Sequence, residues 1–221
     1  MEPKEGIDGP YKVPFVMTEQ TVRSDWIDYN GHMNVAYYTL AFDLSLDEFF
    51  ENILGLGPSY VERSKSGPYS LQAQYHYFDE LLEGEKFYVK AYLRDANRKC
   101  IHIVMEMFNS KENSLSALCE QVLINVDLQT RKSVEYPDWA QSRIKNILKS
   151  FEEIDFPEKF LNMRQNQEAP DLKSILKNVL LNRDFSSKYI KDEEKSYFLN
   201  NYKSIDFFKG NFNEIAFIQK K

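Results

Sequence analysis

A chain of 221 residues with a net charge of −6 has room for one ordinary domain and an extension, and it lacks the cationic excess with which nucleic-acid binders displace counterions from phosphate. Its 43% apolar and 14% aromatic residues can support a core, no apolar run reaches the ~20 residues that span a bilayer, and nothing near the start has the layout of a secretory signal. With only two cysteines, Cys100 and Cys119, the composition predicts a cytoplasmic protein with reduced thiols and no membrane partner.

Residues 1–13 are charged and contain Gly and Pro, which predicts a loose arm. A short strand is expected over Thr18–Ser24, followed by the turn Asp25-Trp26-Ile27-Asp28-Tyr29-Asn30-Gly31-His32-Met33-Asn34. A long helix is expected from about Val35, with Asn34 as its N-cap, because an Asn side-chain oxygen accepts from an orphan N–H of the first turn. Val35, Tyr38, Phe42, Leu46, Phe49 and Ile53 recur at helical spacing, and Ala36, Leu40, Leu44 and Phe50 widen the apolar face, so the helix is expected to be enclosed on most sides. Gly55 and Gly57-Pro58 end it.

From about Tyr69 the period changes to two. Leu71, Ala73, Tyr75 and Tyr77 share a face, as do Phe87, Val89, Ala91 and Leu93, then Ile101, Ile103, Met105 and Met107, and Leu115–Val126 makes a longer final strand. Turns are signalled by Glu83-Gly84-Glu85, Asp95-Ala96-Asn97 and Asn109–Asn113. Short connections favour antiparallel neighbours, so the expected class is α+β, an antiparallel sheet wrapped around one long helix. Pro137 marks the expected end of that domain, residues 14–137. Beyond it, residues 138–221 are read as a C-terminal extension, helical or partly disordered, with helix patterns at Ile144, Ile147, Leu148 and Phe151 and after Pro170-Asp171.

The turn before the helix carries the chemistry. A helix N-terminus presents unpaired N–H groups and positive partial charge, where a developing oxyanion can be held. An aspartate a few residues upstream, Asp28, is suited to attack a carbonyl or to draw a proton from water. Gly31 permits backbone geometry that other residues resist and lets a carbonyl approach the main chain. The competing explanation is that Asp28 and Asn30 make Asx turns, Gly31 supplies a positive φ, His32 is a structural hydrogen-bonding residue and Asn34 only caps the helix. His32, His76 and His102 are widely separated and no metal-ligand spacing occurs, so neither a metal nor another cofactor is expected.

The segment Asp28-Tyr29-Asn30-Gly31, with Tyr38 in the helix, resembles the hotdog-fold acyl-CoA thioesterases similar to 4-hydroxybenzoyl-CoA thioesterase. The spacing Asp28-x-Asn30-x-His32-x-Asn34 is also similar to the plant acyl-carrier-protein thioesterases, whose catalytic set is Asp, Asn, His and a later Glu. Tyr77-Phe78-Asp79-Glu80 supplies a matching glutamate. The resemblance covers about residues 14–137. It implies a hotdog fold, hydrolysis of an acyl-CoA thioester, and a homo-oligomer, dimer or tetramer, with sites shared between subunits. It further implies a catalytic set of Asp28, Asn30, His32 and Glu80, with Gly31, Met33, Asn34 and Tyr38 lining the substrate and the N–H groups of Gly31–Asn34 polarising its carbonyl. Arg94, Arg98 and Lys99 beside the Asp95-Ala96-Asn97 turn are candidate contacts for the coenzyme A phosphates, against their commoner use as solvated hairpin residues. A non-catalytic acyl-CoA-binding protein is the alternative. A hydratase or dehydratase on the same fold is a third reading, for which the His-Phe-Pro-Gly-like segment is absent. The acyl group stays open among short, aromatic, long-chain and betaine-like.

Overall fold

A computed structural model describes residues 6–152 and 154, and the expected helix after Pro170 lies outside them. Its centre is a six-stranded antiparallel sheet of β1 (Phe15–Val16), β2 (Gln20–Thr21), β3 (Ser66–Tyr77), β4 (Lys86–Ala96), β5 (Cys100–Asn109) and β6 (Leu115–Asp127). The spatial order is β1-β4-β5-β6-β3, with β2 also pairing β4. α1 (Val35–Glu48) packs Tyr38, Ala41, Phe42 and Leu46 against one sheet face, where Phe87, Val89, Ala91, Ile103, Met105, Ala117 and Cys119 point inward. The hotdog architecture is therefore present, and the period-two reading holds along most of β3 to β6 with ends shifted by a few residues. Leu71 is corrected: it falls in a register shift between Ser70 and Gln72, where an extra residue breaks the alternation with Ala73, Tyr75 and Tyr77.

Several expectations are corrected. The predicted strand over Thr18–Ser24 is split, because β1 and β2 each have only two residues and a 3-10 turn takes Ser24–Trp26. The arm is not loose from residue 6 onward: Ile7 donates to the Ile53 carbonyl at 3.1 Å, and Tyr11 and Val13 pack on the core. After α1 the chain loosens into a π-helical turn, Phe49–Leu54, which buries Phe49, Phe50 and Leu54 before Gly55 closes it at φ 72. Pro58 does not merely end that segment; it is the first residue of α2 (Pro58–Ser64), where its missing N–H costs nothing. The outer face of α1 is not enclosed within one chain, since Leu40 and Leu44 are exposed and Val35 is 56% exposed.

α3 (Asp138–Ser150) starts where Pro137 predicted, yet its Ala140, Ile144 and Ile147, with Phe151 after it, belong to the same core as the sheet. The packed unit thus runs from residue 6 through Phe151, past both expected limits. Arg143 of α3 explains the attachment: its guanidinium donates to the Leu54 carbonyl at 2.7 Å and to Asp8 at 2.9 Å, and lies 5.1 Å from the Trp139 ring. One buried cation therefore ties the arm, the end of the π turn and α3 together. Among the described residues no helix is long and apolar enough to cross a membrane.

Candidate functional site

The turn is built by its own sequence. Asp28 accepts the Gly31 N–H on its carbonyl at 3.0 Å and the Asn30 N–H on Oδ1 at 2.8 Å, so a β-turn and an Asx turn coincide. Gly31 sits at φ +86, and a Cβ there would meet nothing within 4 Å; backbone conformation, not crowding, calls for glycine. The strand-like bridge between Ile27 and Met33 brings the turn back on itself, with the Asp28 N–H donating to the His32 carbonyl at 3.1 Å and the Asn34 N–H to the Trp26 carbonyl at 2.9 Å. Trp26 anchors the base of the loop, stacked on Tyr37 and tilted against Phe87. Tyr29, at the tip, is 96% exposed.

Asp28 is half-buried and its carboxylate is held by neutral donors alone: Asn30 N–H on Oδ1, and Asn34 Nδ2 on Oδ2 at 3.3 Å. Among the described residues no Lys, Arg or His lies within salt-bridge distance of it. Its neighbour Asp25 differs, being held by the Arg23 guanidinium through bonds of 2.9 and 2.8 Å. Amide donors occupy one position on each carboxylate oxygen and leave further lone pairs open to a partner. His32 Nδ1 lies 3.1 Å from the Met33 carbonyl, which can only accept, so Nδ1 is the donor in that contact.

α1 begins as the sequence predicts, with Asn34 Oδ1 accepting from the Ala36 N–H at 3.0 Å and the Asn34 carbonyl from the Tyr37 N–H at 2.9 Å. The expected set of oxyanion donors is corrected. The N–H groups of Gly31, Met33 and Asn34 are consumed inside the fold, by Asp28, Leu81 and Trp26 respectively. His32 and Val35 are the residues of this segment whose N–H groups meet no acceptor among the described residues, and Val35 is the first residue of the helix.

Met33 is corrected as a substrate contact: its side chain is 0% exposed and belongs to the core. Tyr38 is likewise buried, and its hydroxyl accepts from the Leu81 N–H at 3.1 Å and donates to the Asp79 carbonyl at 3.5 Å. Burial pushes that phenol up to about 12. With Met33 N–H donating to the Leu81 carbonyl at 2.8 Å, the loop Asp79–Leu81 is sewn to the start of α1. Glu80 is thus brought to the same end of the sheet as Asp28, on an exposed loop. This tie was not legible beforehand, since nothing in a tyrosine at helical spacing says that it fixes a loop forty residues on.

Arg94, Arg98 and Lys99 are not brought to Asp28 within one chain. Phe87 lies beside Trp26 at the near end of β4, and Arg94 is seven residues further along, about 23 Å at strand rise. Arg98 is also paired with Glu135 at 2.8 Å. Both cysteines are buried away from solvent, and burial pushes their thiols up to about 12, which removes them as nucleophiles. Among the described residues no group of three His, Cys, Asp or Glu side chains is placed to hold a metal ion.

Comparison with known proteins adds to this geometry. A family model described as the thioesterase-like superfamily matches residues 22–144, from just before the turn to α3. A betainyl-CoA thioesterase of Pseudomonas aeruginosa is 27% identical over 140 residues, which are 63% of this chain and 87% of that protein. The L-carnitine dehydrogenase/betainyl-CoA thioesterase of Rhizobium meliloti is 26% identical over 145 residues, 66% of this chain but only 29% of that larger protein. Among solved structures, a Staphylococcus aureus protein in complex with CoA aligns with a TM-score of 0.61 at 24% identity, over 73% of this chain and all of its own, 100%. The DHNA-CoA thioesterase of Staphylococcus aureus aligns at 0.56 with 20% identity, over 64% of this chain and 97% of its own. At these identities the structural matches speak for the fold.

Proposed function

We propose, from the premise that this chain belongs to the thioesterase-like superfamily and is a thioester hydrolase, that it cleaves an acyl-CoA with Asp28 as the catalytic carboxylate. The observation that carries the reading is the pairing at one helix mouth of a half-buried carboxylate that meets no cation, and an N–H, that of Val35, that meets no acceptor, among the described residues. The thioester oxygen would sit at Val35 N–H, where losing such a donor costs about 10²–10³ in rate. Asp28 attacks the acyl carbon or deprotonates the water that does. The C–S bond breaks, the water oxygen ends in the free acid, and coenzyme A leaves as the thiol. His32 Nε2 and Glu80 are placed in this reading as groups that orient water, and Asn30 as the residue whose main chain fixes Asp28.

The same reading takes the assembly to be a homodimer built on β3. That strand pairs only with β6 among the described strands, so its second edge offers unpaired backbone groups, and Tyr77 at its end is exposed. Light scattering at micromolar concentration should return at least twice the chain mass, and a monomer there would overturn the shared site. For the acyl group, the names of the curated relatives direct the first choice to betainyl-CoA, a small quaternary-ammonium thioester. The test is thiol release across betainyl-, acetyl-, benzoyl- and palmitoyl-CoA. Release from at least one of them supports the reading, with betainyl-CoA expected to be preferred; binding of CoA esters without release from any would instead favour a carrier.

A further inference from the structure

We infer that Asn34 is a positioning residue for Asp28, one side-chain amide that both caps α1 and holds the carboxylate in register with the helix mouth; this rests on the reading of Asp28 as the catalytic group. Asn34 Oδ1 accepts the Ala36 N–H at 3.0 Å. A backbone N–H can only donate, so that end of the amide is the oxygen, and the end 3.3 Å from Asp28 Oδ2 is the NH₂. The cap therefore fixes the amide's orientation, and the orientation supplies Asp28 with a donor.

Asn34 has little freedom to do anything else. Its N–H donates to the Trp26 carbonyl and its own carbonyl accepts from Tyr37, so the main chain is pinned on both sides. Turning the side chain away from Asp28 also loses the cap on α1. Without Asn34, the Asp28 carboxylate keeps, among the described residues, the Asn30 N–H alone, a bond within its own exposed turn, and its position then follows the turn instead of the helix. Val35, whose N–H is the proposed oxyanion donor, is the next residue after Asn34. The amide thus sets the spacing between the attacking carboxylate and the donor, and it does so without adding a charge that would quench the carboxylate.

Two substitutions separate this role from capping. Asn34→Ser keeps an oxygen for the helix start but carries no NH₂ to reach Asp28, and Asn34→Asp keeps the cap while setting an oxygen against Asp28 Oδ2. Asn34→Ser should melt within a few degrees of the parent protein, since Ser and Asn cap comparably, and Asn34→Asp somewhat lower, since its carboxylate faces that of Asp28. The kcat for the best acyl-CoA should fall about 10-fold for Asn34→Ser and about 100-fold for Asn34→Asp, the scale of a misplaced reacting group, with KM within about twofold. Unchanged kcat in both variants, a kcat loss that only follows a lower melting temperature, or a raised KM at constant kcat would each overturn the inference. Asp28→Asn run alongside keeps the two readings apart: full activity in that variant would fault the assignment of Asp28, whereas an inactive Asp28→Asn beside fully active Asn34 variants would fault only the role of Asn34.

Discussion

The turn that carries Asp28 and the clamp that joins Asp8 to Arg143 both immobilise an aspartate, by opposite means. At the clamp the guanidinium is 2% exposed and Asp8 58%, so the cation is the buried partner and the carboxylate completes its pairing from the surface. Arg143 must also satisfy the Leu54 carbonyl, and the unit serves to bind three segments into one body. At the turn, backbone and side-chain amides do the holding, and among the described residues no opposite charge stands beside the carboxylate. A carboxylate paired with a cation is a fastener, while in the proposed reading one fixed by neutral dipoles is the reacting group. The contrast predicts that substitutions in one region move stability and leave turnover alone, and that the other region does the reverse.

The largest effect should come from Asp28→Asn. It preserves size and the Asx-turn acceptor while removing the charge, so kcat should fall by about 10³-fold or more with the urea midpoint unchanged. Arg143→Met comes next and inverts the pattern. It strands the Leu54 carbonyl and releases the arm, costing about 2–3 kcal/mol in urea unfolding once the exposure of Asp8 is allowed for, with kcat per folded molecule retained. Tyr38→Phe tests the border between the two behaviours, because its hydroxyl is structural yet anchors the loop of Glu80. Loss of the bond to the Leu81 N–H should cost about 1–2 kcal/mol of stability and lower kcat by severalfold. Full activity in that variant would detach Glu80 from the mechanism.

Legibility in the sequence divides along physical lines. Asn34 was readable as a cap and the strands as strands because both signals are local: a side chain that reaches its own backbone, and a period of two. The core role of Met33 was missed because the turn folds back through the Ile27–Met33 bridge, which points Met33 inward; among closely spaced motif residues, only alternation across that bridge separates Met33 from His32. The basic cluster Arg94, Arg98 and Lys99, expected to contact the coenzyme A phosphates, lies away from Asp28 within one chain for a topological reason. Charge at a hairpin tip is visible in one dimension, but which end of the sheet the tip occupies is settled only by the pairing of β4 with β2 and with the base of the turn. The arm misled because Gly6, Gly9 and Pro10 read as punctuation, whereas Ile7, Tyr11 and Val13 between and after them reach the core.

Asp8→Asn should give the smallest effect, and it sharpens the contrast most closely because it makes at the clamp the same chemical change that Asp28→Asn makes in the turn. Asp8 is exposed, so water replaces much of what the carboxylate offers, and the amide oxygen still accepts from the Arg143 guanidinium. The loss should stay below about 1 kcal/mol, and it should shrink further as salt is raised, because the removed term is an ion pair open to solvent on one side. Arg143 keeps its bond to Leu54 and its place over Trp139, so α3 stays docked. An Asp8→Asn variant that lost turnover at unchanged stability would mean that the arm reaches the reacting groups, and the division between fastener and reactive carboxylate would fail at its plainest point.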